Sequence, residues 1–176
     1  MFFTDPARTP DPEAIARRLP RGAAIVYRAF GAADAAERGK RLAAIARQRG
    51  LTFLVGADAD LARRVGAHGV HLPERLAHRA RRLKAQNPRW TVTAAAHSAG
   101  AARQALASGA DAAVVSAVFP SRSASAGKPL GAIRLTILVR EAQGPVYALG
   151  GVDNKKARLL KDTGCAGLAA VDAFRT

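Results

Sequence analysis

Three pieces of the last third decide the fold: DAAVVSAVFPSRSASAGKPLGA (residues 111–132), PVYALGGV (145–152) and AGLAAVDAF (166–174). Each carries a short apolar run, at 112–119, 146–149 and 168–171 respectively. Each run ends in a small or polar cluster: 120–127, Gly150-Gly151 and Asp172-Ala173. Strands buried on both faces of a parallel sheet read as near-continuous apolar runs of this kind. In an α/β barrel the residues just past such strands build the ligand site, and those after strands seven and eight often hold a phosphate. The glycine pair and the Ser/Arg/Lys loop stand where that rule places a ligand.

Toward the N-terminus the same alternation continues. The pattern predicts strands at 1–4, 23–27, 52–55, 69–72 and 90–94, followed by 112–118, 146–149 and 167–171. Between them it predicts helices at 11–19, with Asp11 as N-cap and Pro12 in the first turn, and at 33–48, closed by Gly50. Further helices are expected at 59–65, 76–86, from the Ser98 cap to 107, at 132–142 and at 155–163. Eight βα units in 176 residues give one domain, residues 1–176: a compact (β/α)8 TIM barrel whose last helix is truncated after Asp172. An open doubly wound sheet competes, because alternation does not fix strand order. The three similar helix-to-strand joints at 66–68, 109–111 and 164–166 favour a barrel of equivalent units.

Composition narrows the function classes. Hydrophobic residues make up 49% of the chain, which supports a packed core; aromatics are only 5%, so that core must be built from Ala, Val, Leu and Ile. No apolar stretch nears the roughly 20 residues that span a bilayer, nothing reads as a signal peptide, and the natural compartment is the cytoplasm. The single cysteine, Cys165, excludes an intrachain disulfide and a structural zinc site. The net charge of +15 is spread along the predicted helices, with no tail of like charge and no interleaved aromatics. That pattern fits a solvated arginine-rich surface better than a nucleic-acid interface. Assembly into a homo-oligomer is left open.

Several motifs, in order and end to end, make the chain resemble the thiamine phosphate synthase and thiazole tautomerase superfamily of small TIM barrels. They are Met1-Phe2-Phe3-Thr4-Asp5, then His68-Gly69-Val70-His71-Leu72-Pro73-Glu74, the 93–97 strand end with its alanine helix, and Gly109-Ala110-Asp111. Val118-Phe119-Pro120 with its serine-rich loop, and Ala148-Leu149-Gly150-Gly151-Val152, complete the set. The resemblance implies an enzyme of thiamine biosynthesis, a transferase that joins a hydroxymethylpyrimidine diphosphate to a thiazole phosphate and releases pyrophosphate with Mg2+ present. Its partners would be small phosphorylated substrates.

Carried over residue by residue, the resemblance gives a candidate site. Arg28 stands in the family's strand-two motif Gln-x-Arg-x-Lys, whose other two positions here hold Val26 and Phe30. The Thr-x-Thr-Lys loop becomes Ser121-Arg122-Ser123, with Lys128 further on, and two hydroxyls and two cations suit a diphosphate. Gly150 and Gly151 are kept for the thiazole phosphate, while Asp172 replaces a strand-eight serine. Asp172 would repel a phosphate unless it faces away as a helix cap or meets a hydroxyl or amine of a changed ligand. His97 aligns with a family histidine and would line the pyrimidine pocket; Arg28, Lys128 and His97 are the catalytic candidates. The family's Asn-Asp metal pair is replaced by Gly56 and Ala57, and its second aspartate falls near Leu76. Asp58 either takes over the metal or caps the helix that follows. Ala117 stands where the tautomerase branch has a histidine. The remaining histidines read as structural: His71 inside the barrel, His68 and His78 on the surface. The rival to catalysis is a barrel that binds thiamine-related phosphates without turning them over.

Overall fold

The computed structural model describes residues 1–121 and 127–174. Among them, eight parallel strands pair in chain order: β1 (Phe2–Phe3), β2 (Ala24–Tyr27), β3 (Thr52–Gly56), β4 (Gly69–Leu72), β5 (Thr91–Ala96), β6 (Ala112–Val115), β7 (Val146–Ala148) and β8 (Gly167–Leu168). The outer strands then meet. Phe2 bridges Ala170 in parallel; the Phe3 amide donates to the Ala170 carbonyl at 2.9 Å, and the Ala170 amide to that of Met1 at 3.0 Å. A doubly wound sheet keeps its edges apart. This one closes.

The helices follow from their caps and faces. They are α1 (Pro12–Arg18), α2 (Ala35–Arg49), α3 (Ala59–Val65), α4 (Ala80–Gln86), α5 (Ala99–Ala107), α6 (Gly131–Ala142) and α7 (Asn154–Ala157). Asp11, Asp58 and Ser98 each accept the amide three residues on, at 2.9, 2.8 and 3.1 Å, which satisfies a donor that the helix cannot. The helix expected at 76–86 instead starts as a 3-10 turn, Glu74–Arg79, behind Pro73, and α7 passes into another, Arg158–Leu160. Among the described residues, a 3-10 turn, Asp172–Phe174, stands where the eighth helix would begin; Phe174 packs edge-on against Phe2, ring centres 5.6 Å apart.

Small side chains explain how so short a chain closes a barrel. Ala16, Ala46, Ala62, Ala80, Ala102 and Ala105 are wholly buried between helices and sheet, so the helices lie close to the strands. Larger anchors such as Leu42, Phe53 and Leu135 are also fully buried, each contributing about 1.5–3 kcal/mol. Inside the cylinder, Phe3, Val26, Leu54, Val114 and Ala169 form a separate cluster. It plugs the barrel, so a ligand meets a floor at the mouth rather than a pore.

One local departure shapes the site. The strand expected at 112–118 stops early, because β6 ends at Val115. Beyond it the Val118 and Phe119 amides turn to the Leu149 and Gly150 carbonyls, both at 2.9 Å. That crossing ties the β6 loop directly to the glycine pair.

Candidate functional site

The mouth of the barrel is organised from the end of β1. Asp5 Oδ1 accepts the amides of Ala7 and Arg8 at 3.1 and 3.2 Å, and the Thr9 hydroxyl closes the turn by donating to the Asp5 carbonyl at 2.9 Å. The other carboxylate oxygen, Oδ2, takes Arg28 Nη2 at 3.2 Å. Arg28 Nε donates to the Thr4 carbonyl at 2.7 Å, and its guanidinium stands 5.8 Å from the Phe3 ring centre and 5.2 Å from that of Phe30. Burial draws the Arg28 pKa below the usual guanidinium value, and the Asp5 charge opposes that shift. A guanidinium nonetheless stays a cation throughout ordinary pH. Phe30, where the family motif has a lysine, thus supplies an aromatic face instead of a second charge.

Two cavities open at this rim, and Arg28, Ser116, Leu149 and Phe3 border both. The smaller, of about 100 Å³, is lined by Arg8, Ser121, Gly150, Gly151 and Asp172 besides. Gly150 and Gly151 hold φ of 94° and 65°, a region that only glycine enters without cost. Asp172 is not turned out to solvent. Arg8 grips it as a fork, Nε on Oδ1 at 3.0 Å and Nη2 on Oδ2. The helix-cap and changed-ligand readings of Asp172 are thereby joined by a third, an internal counter-ion.

The larger cleft, about 930 Å³, runs from Arg28 past Gly56 and Ala57 to Glu74 and His97. The His97 amide donates to Glu74 Oε2 at 2.8 Å, and its ring Nδ1 lies 2.9 Å from the Ser116 carbonyl. A carbonyl only accepts, so Nδ1 carries a proton there. His71 forms part of the floor, buried, with Nδ1 2.9 Å from the Thr93 hydroxyl and the Phe3 ring edge-on at 5.0 Å. Burial first, and the Arg28 charge second, hold the His71 pKa down to about 3. Unfolded chains protonate histidine near pH 6.5, so they take up this proton first as pH falls. Stability is therefore undiminished above about pH 6.5 and is lost between there and about pH 3, by up to about 1.4 kcal/mol per pH unit from this group. Denaturant midpoints measured from pH 8 to pH 4 check the slope; His71→Asn, which cannot titrate, flattens that part of it.

The expected site residues are distributed as follows. Arg28, Ser121, Gly150, Gly151 and Asp172 come together around the smaller cavity, and His97 lines the larger. Lys128 is exposed and borders neither, and Arg122 and Ser123 lie outside the described residues. Asp58 stands in the larger cleft, but its Oδ1 accepts the Leu61 amide as the N-cap of α3. Among the described residues no three His, Cys, Asp or Glu side chains gather as a metal site. Asp58→Ala is expected to cost about 1 kcal/mol in denaturant unfolding, the worth of a cap, and to leave pyrophosphate binding measured by calorimetry unchanged. Sequence reasoning missed Arg8 and Asp5. The available signal was an Asp-x-x-Arg step just past the first strand, where a barrel builds its rim.

Residues 1–174 match the family model described as thiamine monophosphate synthase. The thiamine-phosphate synthase of Halorhodospira halophila is 34% identical over 170 residues, covering 92% of this chain and 79% of that protein. That of Pyrococcus furiosus is 29% identical over 175 residues, covering 97% and 84%. Among solved structures, the thiamine phosphate pyrophosphorylase from Pyrococcus furiosus superposes with a TM-score of 0.82 at 27% identity, over 99% of this chain and 89% of that one.

Proposed function

The chain belongs to the thiamine monophosphate synthase family, and from that premise we propose that it is a thiamine-phosphate synthase working on small phosphorylated substrates. It joins a hydroxymethylpyrimidine diphosphate to a thiazole phosphate. The thiazole nitrogen forms a bond to the pyrimidine methylene, and the methylene–oxygen bond breaks. Its electron pair leaves with pyrophosphate, and the positive charge stays on the thiazolium. One observation carries this reading: Arg28 is shared by both cavities. The diphosphate must depart beside the place where the thiazole is held, and a single cation between two pockets meets that demand.

Negative charge grows on the diphosphate as the bond breaks, so a fixed guanidinium acts most strongly at the transition state. Thr4 and Asp5 fix Arg28 there. Ser121 and the Gly150-Gly151 segment border the smaller pocket and are assigned to the thiazole phosphate. His97 and Phe30 border the larger one and are assigned to the pyrimidine ring, with Lys128 and the loop residues Arg122 and Ser123 assigned to the diphosphate. Magnesium, which the family resemblance implies, lacks the family's own ligands here: Gly56, Ala57 and Leu76 stand at those positions, and Asp58 gives one carboxylate oxygen to the cap of α3. Among the described residues no helix is long and apolar enough to cross a membrane.

The test is direct. Purified protein is given both precursors, with and without magnesium, and thiamine phosphate and pyrophosphate are quantified. Both products in equal amounts bear the proposal out. Calorimetric binding of the precursors without turnover, magnesium supplied, sinks it in favour of a binding barrel.

A further inference from the structure

The smaller cavity holds a charge pair that joins the two ends of the chain. Arg8 and Asp172 stand 164 positions apart, yet their side chains meet as a fork inside the pocket that Gly150 and Gly151 border. Both are largely shielded, with side-chain exposures of 22% and 30%. The fork is the geometry in which a guanidinium binds a carboxylate or a phosphate equally well. Arg8 is also held from behind, because its amide and that of Ala7 are pinned to Asp5, the residue that anchors Arg28. The pocket thus places one cation on an immobilised turn and fills its fork with the chain's own anion.

We infer that Arg8 is a binding residue for the phosphate of the thiazole substrate, and that Asp172 occupies its fork until that phosphate displaces it. The assignment rests on the proposed function for the identity of the ligand, and on the Arg8–Asp172 fork for the site. Arg28 cannot take over this role unaided, since it is spent on Thr4, Asp5 and the diphosphate side. A carboxylate at the end of β8 is then no obstacle to a phosphate pocket. It keeps a shielded guanidinium compensated while the pocket is empty, and it makes entry an exchange of one anion for another. Selectivity follows, because a neutral thiazole alcohol cannot displace Asp172 from a charged fork.

The experiment compares calorimetric affinities for thiazole phosphate and for the unphosphorylated thiazole alcohol in wild type, Arg8→Ala and Asp172→Asn. Arg8→Ala is expected to cut the preference for the phosphate by about tenfold to a hundredfold, the worth of a charge-assisted forked contact. Asp172→Asn keeps the side-chain shape, removes the competing charge, and is expected to raise the preference by about tenfold. If both variants leave the preference unchanged, or both lower it alike, the pair only braces the chain ends and the inference is overturned. Thermal melting accompanies each titration. Should Arg8→Ala unfold, Asp172→Asn decides alone, and an unchanged or lowered preference overturns the inference. Inorganic phosphate is titrated in parallel as a probe that needs no thiazole. Phosphate binding that weakens in Arg8→Ala and tightens in Asp172→Asn, in a protein that forms no thiamine phosphate, leaves the anion site standing and removes the synthase reading instead.

Discussion

Arg28→Ala lowers the rate of thiamine phosphate formation by on the order of 10²-fold or more, the usual cost of removing one preorganised donor aimed at developing charge. The expectation comes from position. Arg28 is the only arginine bordering both rim cavities among those described, its guanidinium is fixed by the Thr4 carbonyl and Asp5, and two aromatic rings flank it. A group so restrained needs no reorganisation as the diphosphate leaves. The loss should fall mainly on kcat, because the charge it meets is greater in the transition state than in the bound substrate. Arg28→Lys should recover part of the rate but not all of it: an ammonium supplies the charge but cannot hold Thr4 and Asp5 in a planar fork while facing a ligand. Steady-state kinetics on both variants, with circular dichroism to confirm the fold, check this. A change of less than about threefold in Arg28→Ala would remove Arg28 from the mechanism, given the magnitude such a donor normally carries.

The barrel was legible because its evidence is local. Runs such as Phe53-Leu54-Val55 and Val70-His71-Leu72 carry their strand in their own composition, and Asp11, Asp58 and Ser98 each announce a helix that begins at the next residue. Even the start and stop of α3 and β4 coincide with the sequence expectation. Where the reading overran, a backbone group had found a partner elsewhere. The apolar run after Val115 leaves β6 since its amides turn to Leu149 and Gly150, and apolar composition alone cannot register such a change of partner. At 76–86 the helical period is present, but the turn behind Pro73 tightens to 3-10.

The site was legible only in part, for the same reason at longer range. Arg28 and the glycine pair lie at strand ends, which a barrel rule identifies without coordinates. Arg8 lies in a turn, and its meaning depends on Asp172 at the far end of the chain. No spacing rule links them; closure of β8 against β1 does. Asp172 shows the consequence. Taken from sequence alone it is an anion in an anion pocket, a contradiction. Beside Arg8 it is half of a neutral pair, and the contradiction goes. Asp58 illustrates the reverse: two roles compatible with one residue type, decided by which atom its carboxylate reaches.

Gly151→Ala is expected to disable the thiazole side while sparing the rest of the barrel. A Cβ at Gly151 would stand 2.4 Å from the Pro120 carbonyl oxygen and 2.9 Å from the Phe119 Cβ, and φ is +65°. The clash is with backbone, so no side chain can rotate to relieve it. The left-handed conformation costs about 1–2 kcal/mol for an alanine, and forced repacking adds about 1–3 kcal/mol. Together they amount to about 3 kcal/mol, or a melting point lower by about 10 °C for a chain of this size. The alternative for the chain is to move Pro120 and the loop beyond it, which pulls the Val118 and Phe119 amides from Leu149 and Gly150 and opens the smaller cavity. Either route weakens thiazole phosphate binding, by about tenfold or more if one or two polar contacts are lost, while affinity on the pyrimidine side changes little. Gly127→Ala is the matched control. Among the described residues an added Cβ there meets nothing within 4 Å, and its φ is not in the left-handed region, so melting and binding should both stay at wild-type values. Equal behaviour of the two variants would show that the glycine pair owes nothing to close approach, and the phosphate pocket would have to be sought elsewhere on the rim.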